Sequence, residues 1–365
     1  MYSLHNHDET SNAGLGFADT INKTKDLITK AQKLGLSGIA ITNHEVLSSH
    51  YKAQQLGKKL NFPVILGNEI YLQTPEQFEE AKNNYISKQT YYPHFILLAK
   101  DEIGHYQLRQ LSSIAWKQSY MGNGILRRPT MTTDIENIIG NDKGHLIAQS
   151  ACLGSFLAHN ILDLIGLEKS KKSNELIYQK KLAINEFIEW GVDVFGKDDF
   201  YIEIQPAIEN VQIEQWEYNI RAVEIAKAYG LHYIITTDSH YLQKDDASIH
   251  SAFLNSKDAE REVESFYRTA YLMSELEVRN YLQNNLTEED INIAISNTLI
   301  IGSKIQEYDL SEAQIIPLIT LTQFQLSHIL SDYYSEYEYI KKFAYSDNEQ
   351  DKYLLYQMEQ TLFKN

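Results

Sequence analysis

The sequence predicts an α/β fold built on a parallel sheet, open or closed into a barrel. Three observations carry this expectation. Short apolar runs recur through residues 1–240, stretches with helical apolar spacing lie between them, and histidines, carboxylates and a cysteine stand at the ends of the runs. Strand and helix in alternation are the pattern of parallel sheets, and barrel enzymes place their sites just past the carboxyl ends of the strands.

The chain opens with Met1-Tyr2-Ser3-Leu4-His5-Asn6-His7-Asp8, a short strand ending in two histidines one residue apart. Alternate residues of a strand share a face, so both imidazoles are presented to one spot, as a first-row metal site needs. Alone, the pair reads equally well as exposed terminal residues. A helix over Lys25 to Leu34 closes on Gly35, which supplies a left-handed cap. Gly38-Ile39-Ala40-Ile41-Thr42 is the second strand, with Asn43-His44 directly after it. Pro63-Val64-Ile65-Leu66 is the third, followed by Gly67-Asn68-Glu69. Phe95-Ile96-Leu97-Leu98-Ala99 is the fourth, and here His94 precedes the run, against the pattern. His145-Leu146-Ile147-Ala148 leads to Ser150-Ala151-Cys152, and Phe200-Tyr201-Ile202-Glu203-Ile204 is the sixth run. A helix from Asn219 to Tyr229 ends at Gly230, and Tyr233-Ile234-Ile235-Thr236 leads to Asp238-Ser239-His240.

After about residue 275 the character changes. Residues 275–308 read as helical, with an N-cap at Thr287. Ile315 to Thr322 is a β-prone connector around Pro317, and Gln323 to Asn365 is helical, without glycine or proline. The expected division is therefore a barrel over residues 1–275 and a helical appendage over 276–365. The appendage carries Tyr333, Tyr334, Tyr337, Tyr339, Tyr345, Tyr353 and Tyr356. Such rings suit a protein partner or self-association, or equally packing against the barrel.

Composition narrows the class. A net charge of −16 argues against an extended phosphate-tracking surface, though bound divalent cations can reverse the sign locally. Cys152 stands alone, which excludes an internal disulfide and fits a reducing compartment. No apolar run reaches bilayer length, and a strand at Met1 leaves no room for a signal peptide. The expectation is a cytoplasmic protein with no membrane association. Gly14-Leu15-Gly16 lacks the third glycine of a dinucleotide fingerprint. His50, His105, His145, His159, His232, His250 and His328 read as structural or solvated, with an outer-shell role open for His50.

The strand-end residues combine imidazole nitrogen and carboxylate oxygen donors, a mixture suited to zinc, manganese or iron. In order, His5-Asn6-His7, Ile41-Thr42-Asn43-His44, Gly67-Asn68-Glu69, Pro93-His94-Phe95, Ser150-Ala151-Cys152-Leu153-Gly154 and Thr237-Asp238-Ser239-His240 resemble the motifs of the PHP (polymerase and histidinol phosphatase) family. The nearest resemblance is to the amino-terminal PHP domain of the bacterial DNA polymerase III alpha subunit. Phe195 to Glu203 and Thr269 to Ser274 extend it, so that it covers roughly residues 1–315.

The resemblance implies a distorted seven-stranded β/α barrel, of TIM-like type, holding two to three divalent ions (Mn, Zn or Fe). It implies that His5, His7, Glu69 and Asp238 surround one ion and form the catalytic set. Glu69 would bridge to a second ion held by His94 and Cys152, and Asp19, His44 and His240 would hold a third. One departure is Asn43, where the family usually has Asp; it is expected to act as an outer hydrogen-bond partner.

The implied activity is metal-dependent phosphoester hydrolysis of nucleic-acid phosphodiesters with 3′–5′ exonuclease character, acting on single-stranded DNA ends. The metals would activate water near neutral pH and neutralise phosphate oxygens. Two alternatives are a phosphomonoesterase of the histidinol phosphatase type and a non-catalytic interaction module working with a partner. Because the chain stops at Asn365, no polymerase core is expected. Arg127 and Arg128 lie in a loop from Gly122 to Pro129 and could bind substrate phosphate through their guanidinium forks, or belong to an ordinary surface loop.

Overall fold

The structure, a computed structural model, describes residues 1–15, 18–83, 92–122, 125–170, 173–256, 265–313, 332, 336, 341–343 and 345–364. Ten strands are present among them: β1 (Tyr2–Ser3), β2 (Gly38–Ile41), β3 (Val64–Gln73), β4 (His94–Ala99), β5 (Tyr120–Gly122), β6 (Ile125–Arg127), β7 (Thr130–Met131), β8 (Leu146–Gln149), β9 (Phe200–Ile204) and β10 (His232–Ile235). The main sheet follows the order β1-β2-β3-β4-β8-β9-β10, with β7 paired to the far end of β3. Beyond the strand ends, Asn6 bridges Ser239, with His7 N donating to Ser239 O at 3.1 Å. The first and last edges thus meet, and the sheet curls into the expected distorted α/β barrel.

Side chains alternate across the wall, as period-two geometry requires. Phe95, Leu97 and Ala99 face the outer helices, whereas Ile96 and Leu98 join Leu4, Ala40, Ile65, Ile147, Tyr201 and Ile234 inside. The helix Thr24–Lys33 buries Leu27, Ile28 and Ala31 at helical spacing, and Gly35 follows at φ 71°. Gly230 closes the helix Ile213–Tyr229 in the same way, at φ 62°. Both caps match the sequence expectation.

Two expectations are corrected. Glu69 does not lie past its strand: β3 runs on to Gln73, because its second half pairs antiparallel with β4 and gains a ladder there. Strand β4 is antiparallel to both neighbours, β3 and β8, while β1, β2 and β3, and likewise β8, β9 and β10, run parallel. The amino end of β4 therefore opens on the same rim as the carboxyl ends of the others. This explains why His94 precedes its apolar run.

The domain boundary also moves. The chain divides into compact units Met1–Leu310 and Ser311–Asn365, not at 275. The helix Glu288–Lys304, capped by Thr287 accepting from Asp290 N, buries Ile291, Ala294, Ile295 and Ile301. Thr298 Oγ1 accepts from Tyr2 N at 3.0 Å and Asn297 Nδ2 donates to Tyr233 O at 2.8 Å. Its apolar face covers β1 and β10, so it belongs to the barrel. In the second unit the helix Glu349–Lys364 is present, with Tyr353 and Tyr356 exposed along with the preceding Tyr345. The connector Ile315 to Thr322, His328, Tyr333, Tyr334, Tyr337 and Tyr339 lie outside the described residues. Among the described residues, no helix is long and apolar enough to cross a membrane.

Candidate metal centre

The rim collects side chains from every part of the barrel. His5 and His7 leave β1, His44 follows β2, Glu69 stands within β3, His94 opens β4, Cys152 follows β8, and Asp238 and His240 follow β10. The turns that deliver them are held by local bonds. Asn6 Oδ1 accepts from Ser3 Oγ at 2.8 Å and Ser239 Oγ at 2.7 Å, while its Nδ2 donates to Ala40 O at 3.0 Å, tying three strand ends together. Asp238 (φ 44°), Ala151 (φ 64°) and Glu45 (φ 57°) adopt the left-handed region, which costs a residue with a Cβ about 1–2 kcal/mol. These strained backbones occur at or beside candidate ligands, where the chain must turn sharply to aim a side chain inward.

The donor atoms converge. His5 Nε2 and His7 Nε2 are 3.1 Å apart, and each is 3.0 Å from Asp238 Oδ1. Glu69 Oε2 lies 3.3 Å from His5 Nε2, 3.1 Å from His7 Nε2 and 3.1 Å from His44 Nδ1. Its other oxygen is 2.9 Å from His94 Nδ1, and Cys152 Sγ is 3.4 Å from the same nitrogen. Asp19 Oδ1 is 3.2 Å from His240 Nε2, and Asp19 Oδ2 is 3.9 Å from His44 Nε2. Gly154 makes room for this arrangement, since a Cβ there would stand 3.0 Å from His94 Nδ1.

Whether these residues fit divalent ions can be tested on their own geometry. Donors sharing one ion at about 2.0–2.2 Å lie roughly 3–3.5 Å apart, which is the spacing seen. Beyond the imidazole–carboxylate contacts above, both Glu69 oxygens, Asp238 Oδ1, Asp19 Oδ2 and His44 Nδ1 are buried without a hydrogen-bond partner among the described residues. Asp19, Glu69, Glu203 and Asp238 are all buried, and histidines are their only ion-pair partners among the described residues. Uncompensated carboxylates in a low-dielectric interior demand cations. Three groups meet the geometry of an ion site: His5, His7 and Asp238; His44, Glu69 and His94; and His7, His44 and His240. The donor set fits divalent metal ions.

Electrostatics tell the same story. Burial by itself would lower His7, yet hydrogen bonds and charge from Asp238 and Glu69 push it up to about 10. His5 is likewise raised, against burial, by Asp238, Glu203 and Glu69. Burial takes His44 down to about 3, opposed by Glu69 and Asp19 and reinforced by His7 and His94. Burial also opposes ionisation of Asp19, but the charges of His240 and His44 hold its pKa below the usual range. The Cys152 thiol is pushed up by burial and by the neighbouring carboxylates Asp238, Glu69 and Glu203. It is a thiol unless a cation is beside it, since a coordinating metal deprotonates a thiol outright.

The two arginines do not behave as a pair. Arg128 is buried, its guanidinium 4.0 Å over the Trp116 ring, and its charge works against the burial that raises Glu45. Arg127 is half-buried, 4.1 Å over Tyr92, and its Nε lacks a hydrogen-bond partner among the described residues. Tyr92 adjoins Tyr71, whose ring centroid is 5.1 Å from that of His94. His94 is also the most open of the candidate ligands, with 24% of its side chain exposed against 5% or less for the others in ion pairs. The rings of Tyr92 and Tyr71 thus link Arg127 to this most open candidate ligand.

Asn43 Nδ2 contacts Asp8 Oδ1, Thr10 Oγ1 and Ser49 Oγ, and bonds the loop after β1 rather than a metal-ligand side chain. His250 Nε2 reaches the Asp19 carbonyl at 2.7 Å, a supporting contact that its sequence position did not suggest. His50 reaches the Gly67 carbonyl at 2.9 Å and His105 at 3.1 Å, away from the ligands. The residue most clearly missed is Glu203, whose Oε1 is 2.8 Å from His5 Nδ1. The signal was available: an acidic side chain inside an otherwise apolar strand, two residues after Tyr201, must share the barrel interior.

Fold and site together define a distorted α/β barrel with a candidate metal centre at its rim. The chain belongs to the PHP domain family, whose model matches residues 3–207. It is 43% identical over 363 residues to the "Probable DNA polymerase YorL" of Bacillus subtilis (strain 168), covering 97% of this chain and 27% of that protein. It is 30% identical over 314 residues to the DNA polymerase III subunit alpha of Borreliella burgdorferi, covering 84% of this chain and 24% of that protein. The chain thus spans about a quarter of the length of these relatives. Among solved structures, an amidohydrolase from Chromobacterium violaceum shares 14% identity at a TM-score of 0.37, over 66% of this chain and 87% of its own.

Proposed function

We propose that this chain is a metal-dependent phosphoesterase acting on nucleic-acid phosphodiesters, with the character of a 3′–5′ exonuclease on single-stranded DNA ends. The observation that carries this is the buried set of carboxylate oxygens facing imidazole nitrogens at one barrel rim. Two to three divalent ions would occupy it. His5, His7 and Asp238 would hold one, Glu69, His94 and Cys152 a second, and Asp19, His44 and His240 a third, with Glu69 turned towards the first two. Bound there, divalent ions lower the pKa of water and neutralise phosphate oxygens. The chain's own residues do the rest: the buried histidines and carboxylates of the rim would fix the ions, and Arg127, stacked on Tyr92, offers a cation for substrate phosphate. Relatives named as DNA polymerases favour a nucleic-acid substrate over a small metabolite. The second unit, with its exposed tyrosines, is assigned to a protein partner or to self-association.

The test is a substrate panel with manganese supplied. Shortening of a single-stranded oligonucleotide from its 3′ end, lost on chelation, is the expected result. Strong turnover of histidinol phosphate or a nucleoside monophosphate, with no oligonucleotide cleavage under any metal, overturns the nuclease reading.

A further inference from the structure

Glu203 lies on β9, on the interior face shared with Tyr201, and is fully buried. Its backbone is held on both sides: N donates to Ser150 Oγ at 2.9 Å, and its carbonyl accepts from Tyr218 OH at 3.1 Å. The carboxylate oxygen Oε1 accepts from Thr236 Oγ1 at 2.6 Å and Gln205 Nε2 at 2.8 Å. The third contact on that oxygen is His5 Nδ1, at 2.8 Å. His5 is its only ion-pair partner among the described residues.

An ionised carboxylate only accepts hydrogen bonds, so His5 must carry its proton on Nδ1. In the neutral ring that binds an ion, the lone pair is then on Nε2, turned towards Asp238 Oδ1, His7 Nε2 and Glu69 Oε2. The outward nitrogen of the neighbouring His7 ring meets a neutral oxygen instead, Ser11 Oγ at 3.1 Å. His240 Nδ1 faces the Asp238 carbonyl at 2.8 Å and has Asp238 Oδ1 3.5 Å away, a carboxylate that itself belongs to the ion site. His5 alone of the three therefore has behind it a carboxylate from outside the ion site.

We propose that Glu203 is a positioning residue for the ion held by His5, His7 and Asp238. It keeps His5 in the tautomer that presents Nε2 to the ion, and its charge strengthens that donor. The proposal rests on the metal-dependent reading above. A carboxylate behind a ligating imidazole fixes ring orientation and raises ligand basicity, and its loss typically weakens metal affinity by roughly 10–100-fold.

Mn(II) binding to the 365-residue protein, followed by calorimetry and electron paramagnetic resonance, tests this with three variants. Glu203→Gln keeps the shape and removes the charge. Glu203→Asp keeps the charge at shorter reach. Thr236→Val removes a neutral donor from the same oxygen. With the fold checked by circular dichroism, Glu203→Gln should weaken the tightest site by about tenfold or more. Glu203→Asp should recover part of that loss, and Thr236→Val should stay close to the parent. A folded Glu203→Gln protein that binds Mn(II) as tightly as the parent overturns the proposal. So does a loss in Thr236→Val as large as that in Glu203→Gln, which would mark general loosening. Should Glu203→Gln not fold, Glu203→Asp must still bind more weakly than Thr236→Val, and equal affinities overturn the proposal. A parent protein that binds no manganese, zinc or iron sinks the metal-dependent reading together with this one.

Discussion

Glu69 Oε1 lies 2.9 Å from His94 Nδ1 across an antiparallel pair in which Glu69 is opposite Ile96 and His94 is opposite Tyr71. The reversal of β4 within an otherwise parallel wall brings the two together. A carboxylate from the middle of one strand and an imidazole from the start of the next can then share a cation. The same reversal sets His94 at the mouth, where it is the most open of the candidate ligands in ion pairs.

Removing a central donor should empty the first site without unfolding the barrel. Asp238 lies past β10 on the rim and takes no part in the apolar clusters. Asp238→Ala is expected to lose Mn(II) by more than the roughly 10–100-fold attributed to outer partners, and to lose hydrolysis with it. Metal analysis after gel filtration, alongside circular dichroism, checks this. Full activity in a folded, metal-depleted Asp238→Ala protein would refute the mechanism.

The pH dependence of stability should change sign with metal. In metal-stripped protein the His7 pKa is raised to about 10, above the ordinary 6.5 of an unfolded chain. Its contribution to stability is complete below about 6.5 and is lost as pH rises towards about 10. Tm in chelator should therefore fall between pH 7 and pH 9.5 relative to a His7→Gln control. With saturating manganese the trend should weaken or reverse, because binding requires neutral imidazoles and strengthens as protons leave. Parallel slopes with and without metal would contradict this linkage.

Arg127 and Arg128 should separate. Arg127→Ala is expected to weaken oligonucleotide binding by about 1–3 kcal/mol with little change in Tm. Arg128→Ala strips the guanidinium from Trp116 and from buried Glu45, and should lower stability by a similar amount, on the order of 1–3 kcal/mol. Equilibrium binding of a short labelled strand and thermal unfolding distinguish the two. Equal effects of both substitutions on binding and none on Tm would show that they act as a pair at the substrate.

Truncation should respect residue 310 and not 275. A fragment of residues 1–310 keeps the helix Glu288–Lys304 over β1 and β10 and should fold and bind manganese as the parent does. A fragment ending at Ser274 uncovers Tyr2, Tyr233 and the barrel wall they belong to, and should be insoluble or molten. Loss of self-association or partner capture in the 1–310 fragment, with metal binding intact, would support the interaction role given to the second unit. Loss of the metal site in that fragment would refute the division of labour.

The convergence of these side chains was legible in the sequence because strand-end residues depend on local rules. His5 and His7 share a face by period-two geometry, and Asn43-His44, Ser150-Ala151-Cys152 and Asp238-Ser239-His240 each follow an apolar run, so their convergence needs only a curled sheet. The helix caps at Gly35 and Gly230 are equally local. What only the tertiary structure decided depends on which strands lie side by side, and that is a long-range choice the local pattern does not encode. The reversal of β4, the extension of β3 through Glu69, and the docking of the helix Glu288–Lys304 on β1 and β10 are of this kind. So is the split between Arg127 and Arg128, adjacent in the chain but stacked on different rings. Glu203 belongs to both levels: its place inside an apolar strand was visible, but its partner His5 lies 198 residues away and becomes a neighbour only when the barrel closes.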